Sequence, residues 1–207
     1  MEIIDISWPL SRATVEYKDK KTIEFEHVKK IDKDGVGETI ICMGSHTGTH
    51  VDAPAHFLKD GMTIDAVPLG SCVGNSIVID LTHVVDVVTA EDFEQFAIKE
   101  GDIVLLKTTN SELPSTGNFV HDFVYLDQSG ALYLADKKIK AVGIDYLGIE
   151  RAQKGHETHQ ELLQKNIVII EGLRLKTVAP GSYFFCCLPI YTVGLEAAPA
   201  RAILVAE

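Results

Sequence analysis

The chain has 207 residues, 46% hydrophobic and 24% charged, a balance that excludes a disordered polymer and is enough for one sizeable core, so a single domain over 1–207 is expected. Nineteen Lys and Arg against thirty Asp and Glu give a formal charge of −11, which argues against nucleic acid or an anionic membrane surface as the main partner and does not name a substrate. The apolar runs are far too short to cross a bilayer and Met1 to Asp5 does not open a secretory signal, so a cytoplasmic location is expected.

Ile3 to Leu10 reads as a strand ending at Trp8-Pro9, and Thr22 to Ile31 as another, because Ile23 and Phe25 alternate with charged residues. Asp32-Lys33-Asp34-Gly35 is turn chemistry and predicts a hairpin to a third strand, Glu38 to Met43. That strand delivers the chain into Ser45-His46-Thr47-Gly48-Thr49-His50-Val51-Asp52-Ala53-Pro54-Ala55-His56-Phe57. His46, His50, Asp52 and His56 share parity, so an extended backbone turns all four to one face, where imidazoles and a carboxylate suit a divalent metal. The plainer alternative is a set of hydrogen-bonding histidines in a polar strand. Gly48 and Pro54 disfavour a helix here.

Beyond a turn-rich stretch, Ser76 to Leu81 is a buried strand. Thr89 followed by Glu91 and Asp92 predicts a helix with Phe93, Phe96 and Ala97 on its apolar face, ended by Gly101-Asp102. Ile103 to Thr108 is a strand and Thr109 to Asn118 a loop. Ser129 is expected to cap a second helix reaching Lys138, with Leu132 and Ala135 inward. Ala141 to Asp145 is a strand, Glu157 to Asn166 a third helix with Leu162 and Leu163 inward, and Ile167 to Ile170 a buried strand leading to Glu171. Ser182 to Tyr191 and Arg201 to Ala206 complete the strands, and an α/β domain with mixed sheet follows.

An acid placed straight after Ile167-Val168-Ile169-Ile170 must sit at a strand end, be paired, or hold a metal. His159 lies twelve residues before it, near the start of the third helix, where a returning strand can bring the two together. Tyr17, Trp8 and Phe57 are candidates for an apolar substrate wall or for packing, whereas His27, His83, His121 and His156 have no evident partner. Cys42, Cys72, Cys186 and Cys187 lack metal-site or disulfide spacing and are read as reduced core thiols.

The run His46-Thr47-Gly48-Thr49-His50-Val51-Asp52-Ala53-Pro54-Ala55-His56 resembles the defining motif of the cyclase family of metal-dependent hydrolases, which includes bacterial kynurenine formamidase (arylformamidase) and isatin hydrolase. Further matches are Asp5-Ile6-Ser7, Gly143-Ile144-Asp145, His159 with Leu162-Leu163, Glu171-Gly172-Leu173 and Ala198-Pro199-Ala200-Arg201. The resemblance implies a swivelling β/β/α fold, a homodimer or homotetramer, and one or two divalent ions, zinc first and manganese second. It implies that His46, His50 and Asp52 bind one ion and Asp52, His159 and Glu171 a second, with Asp52 and Glu171 bridging and His56 as general acid/base.

The implied reaction is hydrolysis of a formamide or cyclic amide, N-formylkynurenine to kynurenine and formate foremost, by metal-bound hydroxide. The alternatives are an isatin-hydrolase-like enzyme, a metal-dependent lyase or cyclase, and a metal-binding protein without turnover. Two stretches depart from the formamidases. Tyr17-Lys18-Asp19-Lys20 stands where they carry Trp-Pro-Gly-Asp with a substrate-contacting tryptophan, and Tyr146-Leu147-Gly148-Ile149-Glu150 stands where they show a serine and an aspartate.

Overall fold

The computed structural model describes residues 1–206. Strand β1 (Glu2–Asp5) leads to the hairpin of β2 (Glu24–Lys29) and β3 (Glu38–Cys42), whose connection holds the one-turn helix α1 (Ile31–Asp34). Then come β4 (His50–Asp52), β5 (Val73–Asp80), β6 (Val87–Val88), β7 (Ile103–Lys107) and β8 (Tyr125–Leu126). Helix α2 (Gln128–Asp136), β9 (Ala141–Ile144), α3 (Glu157–Leu163), β10 (Val168–Glu171), β11 (Gly181–Pro189) and β12 (Ala197–Ala206) complete the chain.

The main sheet runs β1-β12-β11-β5-β7-β9-β10-β4, and β4 pairs back onto β12, so seven of its strands close a ring with β1 attached outside it. Closure leaves none of those seven as a free edge. Strands β5, β7, β9 and β10 are mutually parallel, while β4, β11 and β12 pair antiparallel, giving the mixed sheet expected.

Alternation along the strands divides the apolar residues between the two faces. Ile103 and Leu105 of β7, Val168 and Ile170 of β10 and Val51 of β4 belong to one cluster, with Leu204 and Phe185. Val104, Leu106, Val142 and Ile169 point the other way and meet Leu134 of α2 and Leu162 and Leu163 of α3. Both faces are covered, which is why these strands read as continuous hydrophobic runs. A third cluster, containing Trp8, Val15, Phe119, Phe123 and Tyr146, underlies the segment that carries Tyr17.

Several expectations are corrected. The helix after Thr89 is only a 3-10 turn, Ala90–Phe93, although Thr89 and Asp92 do form a capping box. Phe93 is fully buried and stacks on Tyr133 of α2, so one turn already satisfies the apolar face. Helix α2 is capped by Asp127, whose Oδ1 accepts from the Gly130 amide at 2.9 Å, and not by Ser129, which donates to the same oxygen. The buried face is therefore Gly130, Ala131 and Leu134, with Ala135 packed partly buried against the same core as expected, and Leu132 is exposed. Of the histidine stretch only His50–Asp52 is strand, since Pro54 starts a 3-10 turn and Ser45 to Thr49 is turn and bend. All four cysteines are free, but only Cys72 and Cys187 are buried, and Cys42 on the β2–β3 hairpin is exposed. The small parallel pair β6 and β8 has no counterpart in the sequence reading.

Candidate metal centre

Strand β4 lies between β10 and β12. Val51 faces the first cluster, so His50 and Asp52 face the opposite side, the side on which α3 packs. In the β10–β4 ladder Glu171 is the register partner of His50, and by alternation its side chain leaves the sheet on that same side. His50 Nε2 is 3.4 Å from Glu171 Oε2 and 3.5 Å from Asp52 Oδ1.

His159, in the first turn of α3, places Nε2 3.5 Å from Glu171 Oε1 and 3.8 Å from Asp52 Oδ2. His46 comes from the turn before β4, with Nδ1 2.8 Å from Asp52 Oδ1. His56, in the 3-10 turn after β4, has its ring centroid 4.1 Å from that of His46 and 5.7 Å from that of His159. All six polar residues singled out in the sequence thus converge. Three groups have donor atoms within 4.8 Å of one another: His46 with Asp52 and His56, His50 with Asp52 and Glu171, and Glu150 with His156 and His159. The first two meet at Asp52.

An outer layer of oxygens holds the imidazoles. His50 Nδ1 is 2.9 Å from the Gly48 carbonyl, so Nδ1 donates there and Nε2 is the atom directed into the site. His159 Nδ1 lies 3.0 Å from Glu150 Oε2, and His46 Nε2 3.3 Å from Glu196 Oε1. Glu196 is held by the Ser45 hydroxyl, and Glu150 also meets His156 Nδ1 and accepts from the His159 amide. The Ile149 amide donates to Glu171 Oε1 at 2.7 Å. Glycines admit the close packing. Gly172 has φ +73 and an added Cβ would lie 2.3 Å from the Gly48 oxygen, which presses the turn carrying the His50 acceptor against the residue next to Glu171. Thr49 accepts from the Trp8 amide and donates to the Gly172 carbonyl, so it ties strands together and touches no imidazole or carboxylate of the site.

The donor set fits a divalent cation. Asp52 is fully buried, and apart from the imidazoles and carboxylates that face one another here, neither its oxygens nor His50 Nε2 has a hydrogen-bond partner among the described residues. Burying a carboxylate costs several kcal/mol even after relaxation, and here two of them, Asp52 and Glu171, face only imidazoles and one amide, so together they call for positive charge. The imidazoles show the same demand. Burial lowers the pKa of His50, but the Asp52 charge and the contact with Glu171 outweigh it and raise it to about 9. At His159 burial is likewise outweighed, by Glu150 and Glu171, and the pKa rises to about 10. His56 goes down to about 4, through burial first, with His46 and His159 adding to it against the opposing pull of Asp52.

The site opens into a cavity of about 310 Å³ lined by Tyr17, His46, His56, Phe57, His156 and Glu171 among others. Phe57 packs its ring on His159 and His156, at 4.4 and 4.7 Å between centroids. Tyr17 is in the wall as expected. Trp8 is not: it is buried, with Arg174 over its ring at 4.6 Å and Nε1 donating to the Ser115 carbonyl. Glu150 and Glu196 are not among the site residues expected from sequence, and His156, expected to have no partner, meets Glu150 through Nδ1. Glu150 was visible only as a departure from the formamidases, and nothing local marked the other two.

A family model described as putative cyclase matches residues 4–151. The kynurenine formamidase of Salinibacter ruber is 34% identical over 211 residues, covering 99% of this chain and 97% of its own. The solved structure of a protein from Bacillus stearothermophilus, described as a predicted metal-dependent hydrolase, is 43% identical, with TM-score 0.88 over 98% of this chain and 97% of that one. Isatin hydrolase A from Labrenzia aggregata shares the fold at 21% identity, with TM-score 0.85 over 100% of this chain and 94% of that one.

Proposed function

This chain belongs to the putative cyclase family, and on that footing we propose that it hydrolyses the carbon–nitrogen bond of a formamide or cyclic amide, with an aryl formamide such as N-formylkynurenine the first candidate. The observation that carries the reading is the convergence of the buried Asp52 and Glu171 carboxylates with His46, His50 and His159 beside an open cavity that also contains His56. His46, His50 and Asp52 would hold one divalent ion, and Asp52, His159 and Glu171 a second. Zinc is the ion proposed first, because three imidazoles accompany the carboxylates, and manganese second. When bound, such an ion polarises a carbonyl and lowers the pKa of water from ~15.7 to about 7.

The protein's own groups do the rest. Glu150, Glu196 and the Gly48 carbonyl fix the direction of the three imidazoles, which conserves the geometry as substrate arrives. Tyr17 and Phe57 hold the apolar body of the substrate with its amide toward Asp52. As the water oxygen bonds to the carbonyl carbon, His56 takes its proton and passes it to the departing nitrogen when the carbon–nitrogen bond breaks. The products are a carboxylic acid and an amine. A homodimer or homotetramer belongs to the same reading, supported by the β2–β3 hairpin, which among the described residues pairs with no strand of the main sheet and leaves Ile40 and Ile41 53% and 59% exposed.

The test is metal analysis of the purified protein beside assays for formate and amine release from N-formylkynurenine, formanilide and isatin. Metal-dependent release supports the reading. Stoichiometric metal binding with no turnover of any of the three would make the protein a metal binder instead.

A further inference from the structure

The cavity mouth carries two cations on a strained and firmly held loop. Lys18 and Lys20 line the cavity with Tyr17, their Nζ atoms 5.0 and 5.9 Å from the centroid of its ring. The lysine ion pairs among the described residues are those of Lys29, Lys138 and Lys176, so neither of these two ammonium groups is neutralised. Asp19, between them, is engaged elsewhere, with Oδ1 accepting from the Phe119 amide at 2.9 Å.

Holding this loop costs the chain conformational strain. Lys18, Asp19 and Lys21 have φ of 53, 56 and 55, the left-handed region that side-chain-bearing residues avoid. The buried carboxylate of Glu16 clamps the far end, accepting from the Thr22 amide at 2.7 and 3.0 Å and from its hydroxyl at 2.5 Å. The Tyr17 ring is wedged by Phe119 at 5.0 Å and by Gly148, where an added Cβ would lie 3.3 Å from Tyr17 Cε2. Strain kept in place by so many contacts, at the rim of an aromatic-walled cavity, marks a functional position.

We infer that Lys18 and Lys20 select a substrate with an anionic group, such as a carboxylate, on the part of its aromatic body remote from the scissile amide. The inference rests on the amide-hydrolase reading for the reaction, but not for the binding preference. In a protein of net charge −11 these unpaired cations are what makes the entrance hospitable to an anion. The aromatic ring would lie against Tyr17 and Phe57, with its charge at the lysines and its amide at Asp52 and His56.

The experiment compares 4-formamidobenzoate with formanilide on the metal-loaded protein, and with Lys18 and Lys20 both changed to Ala, to Glu or to Arg. The ratio of kcat/KM, charged over neutral, should exceed unity in the wild type and fall by about fivefold or more in the Ala pair, further in the Glu pair, and little in the Arg pair. Added KCl should lower the ratio in the wild type more than in the Ala pair, which a purely structural loop would not do. A ratio indifferent to all three replacements overturns the inference. If neither compound is hydrolysed, the amide-hydrolase reading fails for them, and the inference is decided by calorimetric affinity for the same two compounds. Tighter binding of 4-formamidobenzoate that is lost in the Ala pair upholds it; equal affinity overturns it.

Discussion

Glu171 stands directly across the β10–β4 ladder from His50, with its Oε2 3.4 Å from the imidazole Nε2. Two residues far apart in the chain are thereby locked by backbone register, and a one-residue slip would send either side chain to the opposite face.

Replacing Glu171 by Gln keeps the shape and removes the charge. Metal affinity should fall by more than the ~10–100-fold typical of outer partners, read by competition with a chelator. Metal should also stabilise the wild type by about 2.7 kcal/mol at a hundred times Kd, read as a raised unfolding temperature, and Glu171→Gln much less.

Glu150 and Glu196 touch the outer nitrogens of His159 and His46. Glu150→Ala and Glu196→Ala should each weaken metal affinity or activity by ~10–100-fold, with turnover recovering as metal is added in excess. Activity unaffected by either change at limiting metal would deny them the orienting role.

His56→Ala should retain bound metal and lose ~10²–10⁴-fold in kcat, whereas His50→Ala should lose both. Elemental analysis and steady-state kinetics on the same preparations separate these outcomes, and a fully active His56→Ala protein would remove the proton carrier from the scheme.

Gly172→Ala should be destabilised by about 2 kcal/mol or more, because a left-handed φ adds ~1–2 kcal/mol and the new Cβ meets the Gly48 carbonyl. Chemical denaturation measures the loss, and metal affinity should fall with it, since Gly48 also holds His50.

Asp145 is fully buried and accepts from the amides and hydroxyls of Thr108 and Ser111. Asp145→Ala leaves these four donors without their acceptor, each unsatisfied buried group costing ~1–3 kcal/mol, so a loss of at least about 3 kcal/mol is expected in denaturant melts.

Much of the fold was legible where apolar runs are bounded by turn residues, as at Ile103 to Thr108 and Ile167 to Ile170. The helix after Thr89 was not, because a sound capping box starts a turn but does not lengthen it; the burial of Phe93 against α2 decided that. The cap of α2 slipped from Ser129 to Asp127 because both can serve and only the actual backbone path selects between them.

The sequence by itself determined the residue types on offer: three imidazoles and one carboxylate of shared parity around His50 and Asp52, with an acid behind a buried strand. Parity acts within a strand, so it holds for His50 and Asp52 but has no say over His46 and His56, which lie in turns. Only the tertiary structure brought Glu171 opposite His50, seated His159 on the same side, and supplied Glu150 and Glu196 as their supports. Those placements come from ladder register, helix docking and a closed ring of strands, long-range contacts for which local sequence spacing carries no signal.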